Sequence, residues 1–244
     1  NILEKNEDIQ PRDIIVMMPE VSNYAAYIKS VFEGRNAEHS NGMEVPYSIS
    51  DVHLAKNSKV IKAFFEILKL RKTKFKTSKV IDILEVEAVQ KAFSIADKDL
   101  DYIRKWITES GIRWGIDGKH RNSFGVPVFE ENSWKSCLDR MMLGFALEDD
   151  DSVYDDKILP YNEIEGGEGE LLGNFSYFAE LLFGIREKLS GKHTLLQWHE
   201  TLNELLETFF ISDNETFSDI TIIRRVLEKL KQSYYISRVN EEVT

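Results

Sequence analysis

Cysteine, long apolar runs and positive net charge are what this sequence has little of, and each shortage excludes something. A single cysteine, Cys137, among 244 residues leaves no partner for an internal disulfide and suits a reducing compartment. The uncharged apolar runs, such as those at 14–18 and 209–211, fall far short of the roughly 20 residues a membrane helix needs, so no membrane contact is expected. The opening Asn-Ile-Leu-Glu-Lys-Asn-Glu-Asp has no basic stretch followed by an apolar core, so it is not expected to be a secretory signal. Asn1 in place of an initiator methionine, with a polar tail at Val243 and Thr244, leads us to expect a piece of a longer polypeptide.

A phosphate loop is also missing. Such a loop ends in Gly-Lys-Ser or Gly-Lys-Thr, whose amides and lysine hold nucleotide phosphates. The Gly-Lys steps here are Gly118-Lys119 and Gly191-Lys192; His120 and His193 occupy the hydroxyl position, and Arg113 and Arg186 stand where the leading glycine belongs. No ATP site is expected in this segment.

The net charge is −11, from 31 basic and 42 acidic side chains. Binding to phosphates gains affinity by releasing counterions from a positive surface, so an acidic chain needs a local basic cluster to hold DNA. One concentrated stretch exists: Lys69, Arg71, Lys72, Lys74 and Lys76, with Phe75 among them. It reads as a phosphate-tracking loop or as a solvated linker between helices. A second candidate is the segment 106–117, where Trp106, Gly111, Arg113 and Trp114 fall within a dozen residues. An exposed Trp114 beside Arg113 would stack on an unpaired base. The alternative is a Trp114 packed under an ordered loop, with Arg113 paired to an acid.

Along the chain, residues 14–18 form an unbroken β-branched and apolar run that reads as a buried parallel strand. Residues 24–32 follow as a helix with Tyr24, Tyr27, Ile28, Val31 and Phe32 on one face, and residues 45–50 as a second strand. The first 56 residues thus read as a β-α-β unit, too small to stand alone. From 57 to 244 the periodicity is helical almost throughout. Val60, Ile61, Phe64, Phe65, Ile67 and Leu68 open it, and Thr77 or Ser78 caps a helix over 79–84. Further helices are expected at 86–93, 97–109, 133–147, 171–189, 195–210 and 217–235. The helix at 97–109 is stopped by Gly111, and the one at 133–147 places Trp134, Cys137, Leu138, Met141, Met142 and Phe145 inward. The fold class is therefore mainly α with a short N-terminal β-α-β unit, and no period of repeats is visible.

Catalytic constellations are thin. The acidic stretch 148–156 has carboxylates enough to suggest a divalent metal, but it lacks the alternating ligands and central glycine of a calcium loop. A solvated loop is the other reading, and a carboxylate-metal nuclease using Asp150 and Asp151 is its enzymatic rival. The histidines show no i, i+4 metal spacing, and Cys137 on an apolar helix face reads as a packed thiol.

Five phrases point to a family: Pro-Arg-Asp-Ile-Ile-Val-Met (11–17), Val-Pro-Tyr-Ser-Ile-Ser-Asp (45–51), Glu-Ser-Gly-Ile-Arg-Trp-Gly-Ile-Asp (109–117), Ser-Trp-Lys-Ser-Cys-Leu-Asp-Arg-Met-Met-Leu-Gly-Phe-Ala (133–146) and Leu-Pro-Tyr-Asn-Glu (159–163). The chain resembles an internal piece of the RecC family, the exodeoxyribonuclease V gamma chain. The resemblance implies a superfamily 1 helicase-like protein without ATPase motifs. Residues 1–56 would be an edge of a second, 2A-like lobe and residues 57–244 a helical 2B-like insert. It implies a DNA-guiding and scaffolding role in double-strand-break repair and homologous recombination, with Chi recognition by the whole subunit. RecB and RecD would be partners, with single-stranded and forked DNA, in the bacterial cytoplasm. The fragment itself would not be an enzyme and would hold no cofactor, ATP and Mg2+ being used by the partner subunits. Active relatives grip duplex with a Gly-Ile-Gly turn, which falls by position on Ala92, Phe93, Ser94 and Ile95, where both glycines are missing. The rival reading is an acidic helical protein-interaction module without DNA contact.

Overall fold

The computed structural model describes residues 58–147 and 158–237, with positions 10, 13–18, 24, 27, 28, 31, 32 and 47. The chain divides into two compact units, Asn1–Asn57 and Ser58–Thr244.

In the first unit, positions 24, 27, 28, 31 and 32 are helical, as their spacing predicts. The ring of Phe32 lies 5.0 Å from that of Tyr47. The expected strand at 14–18 is not formed. These residues have no ladder pairing, and Ile15, Val16 and Met17 are 81, 75 and 90% exposed. A parallel strand draws its backbone bonds and its cover from neighbouring elements, and a β-α-β unit supplies one partner at most. Of the second expected strand only Tyr47 is described, and it carries no strand assignment; the rest of 45–50 lies outside the described residues.

The second unit is helical. In order it comprises α1 (Lys59–Lys69), a 3-10 turn (Leu70–Lys72), α2 (Thr77–Leu84), α3 (Glu87–Ala92), a 3-10 turn (Asp97–Asp99), α4 (Leu100–Ser110), α5 (Gly118–Asn122), α6 (Trp134–Ala146), α7 (Glu168–Ser190), α8 (Leu195–Phe209) and α9 (Phe217–Ser237). Local chemistry sets several of the ends. The Ser58, Ser133 and Thr194 side chains accept the N–H groups of Ile61, Ser136 and Gln197, satisfying first-turn donors. Gly111 stops α4 in the left-handed region, φ 83°. The cap expected of Thr77 or Ser78 is not made: Lys76 takes that position with no side-chain bond, and Thr77 is already helical.

Helix α7 runs through the core and packs on α1, α6, α8 and the Leu70–Lys72 turn. Leu172, Phe175, Phe178, Ala179, Leu182, Phe183, Ile185 and Leu189 are buried along one face of it, while Gly173, Tyr177, Glu180, Gly184 and Lys188 on the opposite face are exposed, the pattern of an amphipathic helix set against a core. The inward faces of α1 and α6 are narrower than their periodicity predicts. Phe65, Met142 and Phe145 are 51, 45 and 43% exposed, although the Phe145 ring rests against Gly169 in the first turn of α7. The turn at 92–95 buries Phe93 and Ile95 and holds Ser94 at φ 53°, the backbone region a glycine would favour.

Candidate nucleic-acid interface

The two segments singled out by their chemistry meet. The chain leaves α1 through the Leu70–Lys72 turn, and Phe75 then adopts φ 51°. That turn sends its ring into the core, where it is 0% exposed, while Lys74 and Lys76 on either side stay exposed. Phe75 is therefore not the stacking aromatic that its place among lysines suggests. Its carbonyl accepts the indole N–H of Trp134 at 2.8 Å, and its ring lies 5.7 Å from that of Phe183.

Residues 112–116 run alongside this stretch. The Gly115 N–H donates to the Lys74 carbonyl at 2.8 Å, and the Thr77 N–H donates to the Arg113 carbonyl at 3.3 Å. On the other side, the Arg113 N–H donates to Asn132, and the Trp134 and Lys135 N–H groups donate to Gly115 and Ile116. Three segments distant in sequence are thus laced into one layer. Lys72, Lys74, Lys76 and Arg113 are exposed and Arg71 is half-buried; none of them makes an ion pair among the described residues. Lys69 differs, being paired to Glu66 at 2.7 Å.

Trp114 is half-buried. The Lys74 ammonium lies 5.4 Å from its ring centre and the Arg121 guanidinium 5.2 Å, and Phe124 meets it edge-on at 6.4 Å. Arg121, 1% exposed, organises the layer from below. Its Nε and Nη2 donate to the Trp114 carbonyl, and its Nη1 donates to the carbonyls of Phe129 and Glu131. Burial lowers the Arg121 pKa against the opposing pull of Glu130 and Glu131, yet a guanidinium stays charged in proteins. Gly115, at φ 84°, leaves room for it: a Cβ there would sit 2.7 Å from the Arg121 Cγ.

Behind the layer stands His120, 6% exposed. Its Nδ1 accepts the Ile116 N–H at 3.1 Å. Burial first, and the Arg186 charge next, lower its pKa from 6.5 to about 4. The start of α5 is closed to phosphate, because the carboxylates of Glu130 and Asp117 accept the N–H groups of Gly118 and His120, each at 2.8 Å. Burial pushes the Asp117 carboxyl up, but the His120 N–H and Lys135 outweigh it and hold it below the usual range.

Sequence reasoning named Lys69, Arg71, Lys72, Lys74, Lys76, Arg113 and Trp114, but missed Arg121, Phe124 and Phe129. A five-residue helix is too short to show periodicity, and the Asp117-Gly118 cap was the one available signal. Cys137 is fully buried, with its thiol pKa raised by burial. Among the described residues no three His, Cys, Asp or Glu side chains group to hold a metal. The acidic stretch with Asp150 and Asp151 lies outside them. Among the described residues no helix is long and apolar enough to cross a membrane.

Residues 57–244 match the family described as the RecBCD enzyme subunit RecC fourth domain. The RecBCD enzyme subunit RecC of Haemophilus influenzae is 30% identical over 243 residues, covering 100% of this chain and 21% of the relative. That of Escherichia coli is 33% identical over 224 residues, covering 92% and 20%, and that of Mycobacterium tuberculosis 32% identical over 203 residues, covering 82% and 18%. The chain spans about a fifth of the length of these curated relatives, and it belongs to the RecC family.

Proposed function

We propose that this member of the RecC family is a non-catalytic, DNA-guiding and scaffolding region, and that its basic edge tracks the phosphates of single-stranded or forked DNA. Lys72, Lys74, Lys76 and Arg113 are the contacts, Lys69 and Arg71 extend them, and Trp114 anchors the edge between Lys74 and Arg121. The supporting observation is the convergence. In a chain of net charge −11, two cationic segments far apart in sequence are hydrogen-bonded side by side, with these four charges unpaired among the described residues. Exposed lysines and arginines on a rigid edge suit a sugar-phosphate backbone, which is read by charge rather than base sequence.

In this reading the whole subunit works with RecB and RecD in the bacterial cytoplasm, within an ATP-dependent exonuclease and helicase whose ATP and Mg2+ sites lie on the partners. Residues 1–56 serve as an edge of a 2A-like helicase lobe and residues 57–244 as a 2B-like insert. Chi recognition belongs to the subunit as a whole. The scaffolding half draws on Ile15, Val16 and Met17, an apolar run that its own unit leaves uncovered.

The test is fluorescence anisotropy of labelled oligothymidylate and a forked duplex over a salt series. The expected result is binding that weakens linearly with log salt. Replacing Lys72, Lys74, Lys76 and Arg113 together with methionine should cut the single-strand slope by roughly 3, about 0.7 per phosphate contact. Absence of binding at low salt, or a slope indifferent to the four replacements, would overturn the reading in favour of an acidic protein-interaction module.

A further inference from the structure

Lysines that follow phosphates leave open what meets the bases. Trp114 is poorly placed for that work, since its ring is half-buried, edge-packed on Phe124, and already engaged by the Lys74 and Arg121 cations. Phe129 differs. The Arg121 guanidinium lies 4.3 Å from its ring centre, yet the residue remains 39% exposed, beside a 60% exposed Val128. The same guanidinium bonds the Phe129 carbonyl at 3.2 Å and the Glu131 carbonyl at 2.6 Å, so ring and backbone are both fixed before anything binds. An aromatic held ready in this way loses little conformational entropy on stacking, and every base has a face to offer it.

Charge sets the orientation of a strand across this surface. Glu130 and Glu131, flanking Phe129 on its C-terminal side, are exposed and repel phosphate. Lys74 lies 5.4 Å from the Trp114 ring centre and 5.6 Å from that of Phe124, and Arg113 adjoins Trp114. A strand with its phosphates toward Lys74 and Arg113 turns its bases toward the aromatic side of the layer. We propose that Phe129 is the base-stacking residue of this interface, its exposed ring taking one unpaired base of a strand whose phosphates lie along Lys74 and Arg113. This inference rests on the DNA-guiding reading above.

The experiment uses the full chain and labelled oligothymidylate. Phe129→Ala should weaken binding about tenfold, within the range of one lost base stack, while leaving the salt slope unchanged, because no charge is removed. Phe129→Leu keeps an apolar side chain on Arg121 but offers no aromatic face, and should lose as much; Phe129→Trp should restore binding. If Phe129→Leu binds like the parent chain, Phe129 acts by packing and the inference falls. If Phe129→Ala binds normally while the Lys74 and Arg113 replacements weaken binding, DNA guiding stands without this stack, and the exposed Val128 and Phe129 pass to a protein partner. No binding by the parent chain at low salt removes the underlying reading and this inference with it.

Discussion

Lys74 and Phe75 are neighbours in the chain but belong to two aromatic clusters of opposite character. Phe75 joins Trp134, Phe175 and Phe183, whose rings lie 5.7 to 6.4 Å apart and are at most 6% exposed. Lys74 joins Trp114, Phe124, Phe129 and Arg121, where the rings surround cations and stay partly in solvent. The first cluster is stabilised by removing apolar surface from water, roughly 25 cal/mol per Å2. The second has a buried guanidinium bonded only to carbonyls, and the desolvation of such a charge offsets much of what its bonds return. Stability explains the first cluster. The second makes sense as a rigid, positively charged support, and the positive φ of Phe75 lets one turn serve both.

Trp134 should be the costliest residue to lose. It is fully buried, and its indole N–H holds the Phe75 carbonyl. Trp134→Ala should destabilise the chain by about 3–5 kcal/mol and leave that carbonyl unpaired, as measured by denaturant unfolding. A loss no larger than that of an exposed substitution would erase the contrast between the clusters.

His120 sits between them, its ring edge-on to Phe75 and to Phe124, and it supplies a pH dependence. It is held neutral when folded, with its pKa near 4 against 6.5 for the ordinary side chain. Burial, then the charges of Arg186 and Arg121, push it down against the opposing pull of Asp117. The unfolded chain therefore binds the extra proton in this window. Stability is fully present above pH 6.5 and is lost as pH falls toward 4, by up to about 3 kcal/mol. His120→Asn keeps an acceptor for the Ile116 N–H but cannot titrate. The parent-minus-variant difference in unfolding free energy should shrink across that window; a constant difference would show that the imidazole is not buried neutral.

How legible each cluster was in the sequence follows from the same contrast. Helical periodicity placed Trp134 on an inward face, while Phe175 and Phe183 fall within the helix expected over 171–189, whose inward residues were not singled out. It failed for Phe75, whose burial depends on one unusual backbone angle. The cations of the second cluster were visible as residue types, but their meeting was not, because it rests on backbone bonds such as Gly115 to Lys74 that leave no side-chain pattern. Arg121 was hidden for a related reason: its partners are carbonyls, which every residue carries. The misread run at 14–18 shows the limit from another side. Its apolar pattern states that it wants cover, and says nothing about whether this segment supplies it.

The smallest expected effect is the sharpest test of how the second cluster is held. Gly115 and Gly125 have similar backbones, φ 84° and 77°, but different surroundings. A Cβ on Gly115 would meet the Arg121 side chain at 2.7 Å, whereas one on Gly125 meets nothing within 4 Å. Gly125→Ala should therefore cost only the left-handed backbone term, about 1 kcal/mol. Gly115→Ala carries the same term and a clash with an arginine that cannot easily withdraw, because its donors are committed to three carbonyls. The difference between the two variants, about 1–2 kcal/mol by chemical denaturation, measures how firmly Arg121 is fixed. It should appear together with weaker single-strand binding, because moving Arg121 moves the carbonyls of Trp114 and Phe129. Equal losses from the two glycines would mean that Arg121 yields freely, and the aromatic layer above it would then be a soft surface rather than a preset one.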